Sequence, residues 1–399
     1  MCVVGKHVLA KIIRFCYLHT QNIVLIMQKV GILGGGQLGR MLLQAAVNYP
    51  VTTYILENDP ECPAAHLCHH FVLGDIRDYE TVYNFGRHLD ALTIEIESVN
   101  VDALERLEAE GVRVYPRASA LRTIKNKILQ KTFYKQHGVP TAPFTVLENK
   151  AALIAHLAEL PAVQKLGEGG YDGRGVQMLR GPEDIDLGFD APSILEKLIT
   201  VQKELSVIVA TNGRGANAIY PATEMVFHPE LNMLDFQVCP AAIPKETLWK
   251  AEALAMMVVK GLDSPGIFAV ELFVDNRGDV WVNETAPRVH NSGHHTIEAA
   301  YSSQFDMLLR ILLEYPLGNP DPIQTSVLLN VVGAEGYTGE ARYEGLEDVL
   351  KMENTFVHLY GKKQTKPGRK MGHITLTGKD RQELVYQAGV IKKLFRVMA

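Results

Sequence analysis

Cysteine is scarce and scattered. The five in 399 residues stand at Cys2, Cys16, Cys62, Cys68 and Cys239, with no C-x-x-C pair among them. That excludes a disulfide-stapled scaffold and a cysteine-ligated zinc finger, and it points to free thiols in a reducing compartment, the cytoplasm. No apolar run is long and unbroken enough to cross a membrane. The stretch that comes nearest, residues 1–28, is interrupted by Lys11 and Arg14. It also lacks acidic residues and a small-residue cleavage site, so it reads as an extension ahead of the fold, either disordered or an over-long start before Met27. A long basic run is missing and the formal net charge is −5, which argues against a nucleic-acid partner. Internal repeats and low-complexity tracts are absent too. What remains is a globular composition, 47% hydrophobic and 21% charged, with length for two or three domains.

The first part of the chain alternates strand and helix. A strand KVGIL enters a glycine turn, the helix QLGRMLLQAAV leaves it, and the strands VTTYILE, HHFVLG and ALTIEIE follow. This alternation predicts an α/β domain with a parallel, Rossmann-like sheet. A helix is expected over IKNKILQKTFYKQHG, residues 124–138, closed by Gly138 and Pro140. Strands are expected in APFTVL, AVQKLG, SILEKLI and KELSVIVAT, with a helix KAALIAHLAEL after the first. Residues 267–285 read as a β-hairpin turning at Asn-Arg-Gly. From TSVLLNVVG onward a smaller α+β unit is expected, ending in a helix.

Several motifs carry chemistry. GILGGGQLGRM places glycines at Gly34, Gly36 and Gly39 between strand and helix, where backbone N–H groups can approach a phosphate. Glu57 ends the second strand near the position of a ribose-binding acid. By themselves these residues fit NAD(P), another phosphate ligand, or a turn needing glycine only for packing. The hairpin brings Glu271 and Glu284 onto adjacent strands with Asn283 beside them; two carboxylates facing one cleft suit Mg²⁺ bridged to phosphates. The loop EGGYDGRG, with Gly170, Asp172, Gly173 and Arg174, is suited to a polyphosphate, and Lys165 precedes it. Glu196, Lys197, Leu198 and Ile199 form a strand end whose backbone can meet an adenine edge, and Glu204 can accept ribose hydroxyls. Arg288, His290, Asn291 and Ser292 crowd behind Glu284, a set suited to a small oxyanion. The three histidines His290, His294 and His295 also suggest zinc, against which the hard oxygen ligands weigh. Lys362, Lys363, Lys366, Arg369 and Lys370 cluster around a Pro-Gly turn, either as a solvated loop or as a clamp on a substrate phosphate. Cys62, His66, Cys68, His69 and His70 match no standard metal spacing.

Together GILGGGQLGRM, GGYDGRG, NETAPRVHNSGHHT and KPGRKMGH, in this order, resemble the N5-carboxyaminoimidazole ribonucleotide synthases of the ATP-grasp superfamily; the resemblance covers about residues 29–399. It implies a Rossmann-like pre-ATP-grasp domain (29–119), an ATP-grasp domain (120–315) and a C-terminal α+β domain (316–399). It implies ATP and Mg²⁺ as cofactors, bicarbonate and 5-aminoimidazole ribonucleotide as substrates, and carboxyphosphate as the intermediate. By motif, Lys127, Lys165, Glu196, Glu204 and His228 are implied as nucleotide contacts, and Glu271 and Glu284 as Mg²⁺ ligands. Arg288, His290, Asn291 and Lys362 would form the bicarbonate and carboxyphosphate pocket. Gln37, Leu38, Tyr171, Arg174, Lys362 and Arg369 would meet the ribonucleotide, with Glu95 or Glu97, and the glycine-rich loop would be the lid.

Three positions depart from the family pattern. Lys366 and Lys127 stand where Arg is frequent, keeping charge without the bidentate fork, and Ser98 stands where Asn is common. The carboxylase domain fused in fungal relatives has no counterpart here, which implies a separate mutase as partner; a homodimer is also implied. The other readings are a different ATP-grasp carboxylate–amine ligase, an NAD-dependent dehydrogenase resting on the glycines alone, and a nucleotide-sensing module without turnover.

Overall fold

The computed structural model describes residues 27–169, 175–227 and 234–399. Apolar β-rich segments separated by amphipathic helices build a sheet of five parallel strands in the N-terminal part, in the order His70–Leu73, Val51–Glu57, Gln28–Leu33, Ala91–Ile94, Arg113–Val114. Strand order reverses about Gln28–Leu33, so the crevice of a doubly wound sheet lies where this strand and Ala91–Ile94 end. Gly34 follows the first of these strands and Glu95 the second. The helix Gln37–Ala46 leaves the glycine turn and buries Leu38, Met41 and Leu42.

The expected helix at 124–138 is two helices, Ala118–Lys125 and Lys127–Gln136. Asn126 breaks them. It adopts an extended backbone, and its side-chain oxygen accepts from the N–H groups of Ile128 and Leu129, an N-cap that starts the second helix afresh. Beyond it, a four-stranded antiparallel sheet runs Phe144–Leu147, Ser193–Lys197, Ala162–Leu166, Val176–Leu179. The KAALIAHLAEL segment is helical only over Lys150–Ala155, then tightens into a 3₁₀ turn at Leu157–Glu159.

The hairpin forms as expected, with Gly266–Asp275 against Val280–Ala286. These strands edge a nine-stranded sheet that continues through Val201–Thr211, Thr223–Phe227 and Leu234–Cys239 into Thr325–Val332, Lys370–Gly378 and Thr355–Leu359. The smaller terminal unit therefore shares one sheet with the middle of the chain. Leu234–Cys239 would otherwise expose an unpaired edge, and Thr325–Val332 covers it.

Period-two alternation sorts the faces of this sheet. Leu205, Val207, Val209, Val270, Leu272 and Val274 pack under the helix Lys245–Leu262. Glu204, Ser206 and Glu271 fall on the other face. Near the junction with the terminal unit that other face buries His294, His295 and His373. Burial lowers all three imidazoles, His295 to about 4 and the other two well below the ordinary value. A histidine kept neutral in the fold but protonated near pH ~6.5 when unfolded withdraws stability as pH falls through that value. The raised Glu204 and Glu271 carboxyls work in the opposite direction over the same window, so the histidine contribution is read by comparison. We expect the melting temperature of His295→Gln, relative to that of wild type, to rise as pH falls from 6.5 to 5. A difference between the two proteins that stays constant across that window would contradict it.

Candidate active site

The register of the hairpin places Glu271 directly opposite Glu284. Ser206 pairs with Glu271 from the neighbouring strand, and Glu204 is two residues before it on the same face. The strands thus assemble three carboxylates along one cleft. Burial, then the charge of Glu284, pushes the Glu271 carboxyl upward, whereas the Lys127 ammonium paired with Glu284 holds that carboxyl low. Burial also raises Glu204, to about 7. Such mutually repelling oxygen donors at a cleft fit a hard divalent cation such as Mg²⁺.

The four-stranded sheet and the helix Lys127–Gln136 supply cations to the same cleft. Lys165 donates to Asn283 Oδ1 at 3.0 Å, bridging the two sheets, and pairs with Glu196 Oε2 at 2.6 Å. Lys131 approaches Glu196 Oε1 at 2.7 Å and donates to Thr141 Oγ1 at 2.6 Å. Burial works to raise Glu196, but the two ammonium groups outweigh it and hold the carboxyl low. Burial likewise pushes Lys131 down to about 8 against the pull of Glu196. Sequence reasoning missed Lys131, which is 1% exposed. A signal existed, since Lys127 and Lys131 are four residues apart on one helix, where like charges repel unless acids face them. Lys131→Met would leave Glu196 with one cation and release Lys165 from its set position. We expect a five- to twentyfold rise in KM for ATP, read from initial rates; an unchanged KM would limit Lys131 to packing. Lys197, Leu198 and Ile199 continue from Glu196 at the end of its strand, with the Lys197 N–H donating to Pro143 O at 2.9 Å.

The segment after Glu284 leads from this cleft toward the N-terminal sheet. His290 Nε2 lies 3.5 Å from Glu271 Oε1, and its Nδ1 is 2.9 Å from Ser292 Oγ. Two residues earlier, Arg288 makes a two-pronged contact with Glu97, at 2.9 Å and 3.2 Å. The segment is pinned from behind. Gln304 accepts from the His290 N–H at 2.8 Å and donates to its carbonyl at 2.7 Å. Ser206 meets Ser292 at 2.7 Å, and Gln237 donates to the Ser292 carbonyl at 3.0 Å. Asn291 opens the short 3₁₀ turn Asn291–Gly293 beside them.

The glycine turn differs from the expectation that its N–H groups await a phosphate. Gly36 and Gly39 donate to the carboxylate of Glu95, the latter at 2.5 Å, and Gly35 donates to Glu57 Oε2 at 3.0 Å. The helix N-terminus is neutralised by the chain's own acids. The glycines are required for that approach. Gly34 has φ +103°, and a Cβ there would lie 2.4 Å from Glu95 Cγ; one at Gly36 would lie 2.6 Å from Glu95 Oε1. Burial raises the Glu95 carboxyl although the two turn N–H groups pull it down. Of the two acids of TIEIES, Glu95 thus serves the turn and Glu97 faces Arg288. The Leu38 side chain is buried in the core, so only its backbone faces the turn, whereas Gln37 accepts from Lys362 Nζ at 3.0 Å. That contact brings the basic tail to the turn. Lys362 also donates to Lys370 O at 2.8 Å, and Arg369 to Gln364 O at 2.8 Å. Gly170, Tyr171, Asp172, Gly173, Arg174 and His228 lie outside the described residues. The cysteine–histidine tract disperses: Cys62 packs beneath Gly35, His69 contacts Thr53, and His70 stacks on Tyr54.

A cleft between two antiparallel sheets, floored by opposed acids, roofed by lysines and joined to a parallel-sheet crevice, defines an ATP-grasp protein, and the matches along the chain bear this out. Residues 132–305 match the ATP-grasp domain, 27–125 the ribonucleotide synthetase preATP-grasp domain, and 326–387 the phosphoribosylaminoimidazole carboxylase C-terminal domain. The chain is 36% identical to an N5-carboxyaminoimidazole ribonucleotide synthase of Brucella melitensis over 87% of its own length and 95% of the relative's. The crystal structure of the synthetase of that name from Thermotoga maritima superposes with TM-score 0.87 at 34% identity, covering 94% of this chain and all (100%) of that one. An Aspergillus clavatus N5-carboxyaminoimidazole synthase in complex with ADP and 5-aminoimidazole ribonucleotide superposes with TM-score 0.83 at 32% identity, covering 92% and 98%. The chain therefore belongs to the N5-carboxyaminoimidazole ribonucleotide synthase family. It spans only 64% and 66% of the phosphoribosylaminoimidazole carboxylases of Vigna aconitifolia and Ogataea methanolica that it also matches. No described helix is long and apolar enough to cross a membrane.

Proposed function

We propose that the protein carboxylates 5-aminoimidazole ribonucleotide to N5-carboxyaminoimidazole ribonucleotide, using ATP and bicarbonate and releasing ADP and phosphate. The observation that carries this is the single segment from Glu284 to Asn291, which touches the phosphate cleft through His290 and the crevice of the N-terminal sheet through Arg288. One rigid stretch thereby serves both the activation of bicarbonate and its transfer.

Lys165 and Lys127 supply the positive charge that balances the nucleotide phosphates, with Glu196 and Lys131 setting the position of Lys165. Glu271 and Glu284 would hold Mg²⁺, which when bound neutralises charge on the transferring phosphoryl group. His290 and Asn291 orient bicarbonate so that one of its oxygens attacks the γ-phosphorus while the bond to ADP breaks, giving carboxyphosphate. The 5-amino nitrogen of the ribonucleotide then takes the carboxyl carbon, directly or as CO₂; the C–O bond breaks to leave phosphate, which takes up the proton lost by the nitrogen. Arg288 and Lys362 offset the charge on both anions, with Arg288 aligned by Glu97. Gln37 and Arg369 flank the ribonucleotide end. The product leaves for a separate mutase, and the working unit is a homodimer.

ADP release tests the proposal. It should depend on bicarbonate and rise strongly when the ribonucleotide is added, above a background from carboxyphosphate breakdown. ADP release indifferent to both would overturn it, and turnover of a different acid would move the protein to another ATP-grasp ligase.

A further inference from the structure

Tyr360 is among the largest fully buried side chains of the described chain, 2% exposed, yet it stands two residues before Lys362 at the rim of the site. Its ring packs in the core shared with Leu38, Met41 and Leu42 of the N-terminal helix and with Phe305 of the middle of the chain. Its backbone N–H donates to Met371 O at 2.9 Å, and its hydroxyl meets His373 Nδ1 at 3.0 Å. The ring is therefore fixed at both ends. Lys362 Nζ lies 5.6 Å from the ring centroid, within the range of a cation–π contact.

His373 is itself held in a layered cluster. Its ring stacks on His358 at 4.4 Å between centroids and lies 5.0 Å from His294, while His358 pairs with Glu298 at 2.6 Å. His294 Nδ1 is 3.2 Å from Gln304 Nε2, the same amide that clamps the His290 backbone. A continuous buried path of Gln304, His294, His373 and Tyr360 thus joins His290 to Lys362, which belong to different parts of the chain. A long lysine side chain gives up much rotamer freedom when fixed, so an ammonium used in a reaction needs a platform.

We propose that Tyr360, anchored by His373, is a positioning residue for the carboxyl transfer: its ring face sets the Lys362 ammonium at the ribonucleotide end of the pocket, in register with His290 at the phosphate end. This rests on the reading that Lys362 meets the carboxyphosphate and the ribonucleotide. A purely structural tyrosine would, when altered, lower ADP release and product formation in proportion.

The test compares full-length wild type, Tyr360→Phe and Tyr360→Leu for KM toward 5-aminoimidazole ribonucleotide and for ADP released per product formed. Phe keeps the ring face but loses the anchor, and should raise the KM and the ratio about threefold. Leu loses both, and should raise them about tenfold, with the KM for ATP within twofold of wild type. Should Leu fail to fold, Phe decides: a KM and a ratio equal to those of wild type overturn the proposal. So does a folded Leu variant in which ADP and product fall together. Wild type that lacks ribonucleotide-dependent ADP release would instead defeat the underlying reading of the function.

Discussion

Replacing Glu284 by Gln should cut turnover by about a thousandfold, equivalent to ~4 kcal/mol of lost transition-state stabilisation. The change is isosteric, so the hairpin and its register with Glu271 should persist. What disappears is the negative charge that, with Glu271, makes the cleft a site for a divalent cation. Lys127, which pairs with Glu284, is released from that acid, so phosphate charge is left to the lysines without the cation. Calorimetric titration with Mg²⁺ and an ATP analogue should show weakened metal binding, while a melting temperature within a few degrees of wild type would show that the fold is intact. Wild-type rates in this variant would refute the assignment of Glu284 to the metal.

Arg288→Met should lower the rate of carboxylation by about a hundred- to a thousandfold, the loss typical of removing one group aimed at a developing oxyanion. Here the nucleotide half should be spared, since Arg288 contacts Glu97 of the N-terminal part and none of the lysines around Glu196. The expected signature is a nearly unchanged KM for ATP with a collapsed kcat. Arg288→Lys restores the charge but not the two-pronged contact with Glu97, so it should recover only part of the rate. A rise in the KM for ATP matching the fall in kcat would place Arg288 in the nucleotide site instead.

Much of this site is legible in the residues because it is local. The hairpin brings Glu271 and Glu284 onto adjacent strands, with Arg288, His290 and Asn291 following on the same chain; the turn alone would set Glu271 against Asn283, and a one-residue register shift between Glu271 and Leu272 brings Glu284 opposite it. The strand–glycine–helix unit is legible for the same reason. What escapes is set by contacts between distant parts of the chain. The glycine turn reads as an anion site, but the anion is Glu95, which reaches it from another strand. Lys131 looks like a surface lysine until Glu196, far along the chain, is folded against it. Tyr360 and His373 lie in a tail whose basic residues dominate its appearance, while the burial of Tyr360 depends on three parts meeting and His373 packs against His294 from the middle of the chain. The break at Asn126 follows local rules, yet an Asn inside an otherwise helical pattern gives no sign of whether it caps or continues. Continuity of the large sheet depends on pairing Leu234–Cys239 with Thr325–Val332, and no hydrophobic period encodes that choice.

The central claim is that one pocket, built on the Glu284–Asn291 segment, first joins bicarbonate to the γ-phosphoryl group and then hands on the carboxyl. Bicarbonate carrying labelled oxygen, supplied with ATP and 5-aminoimidazole ribonucleotide, tests it most directly. The account predicts one labelled oxygen in the phosphate released for each carboxylated product. Phosphate without label, its new oxygen drawn from water, would contradict it.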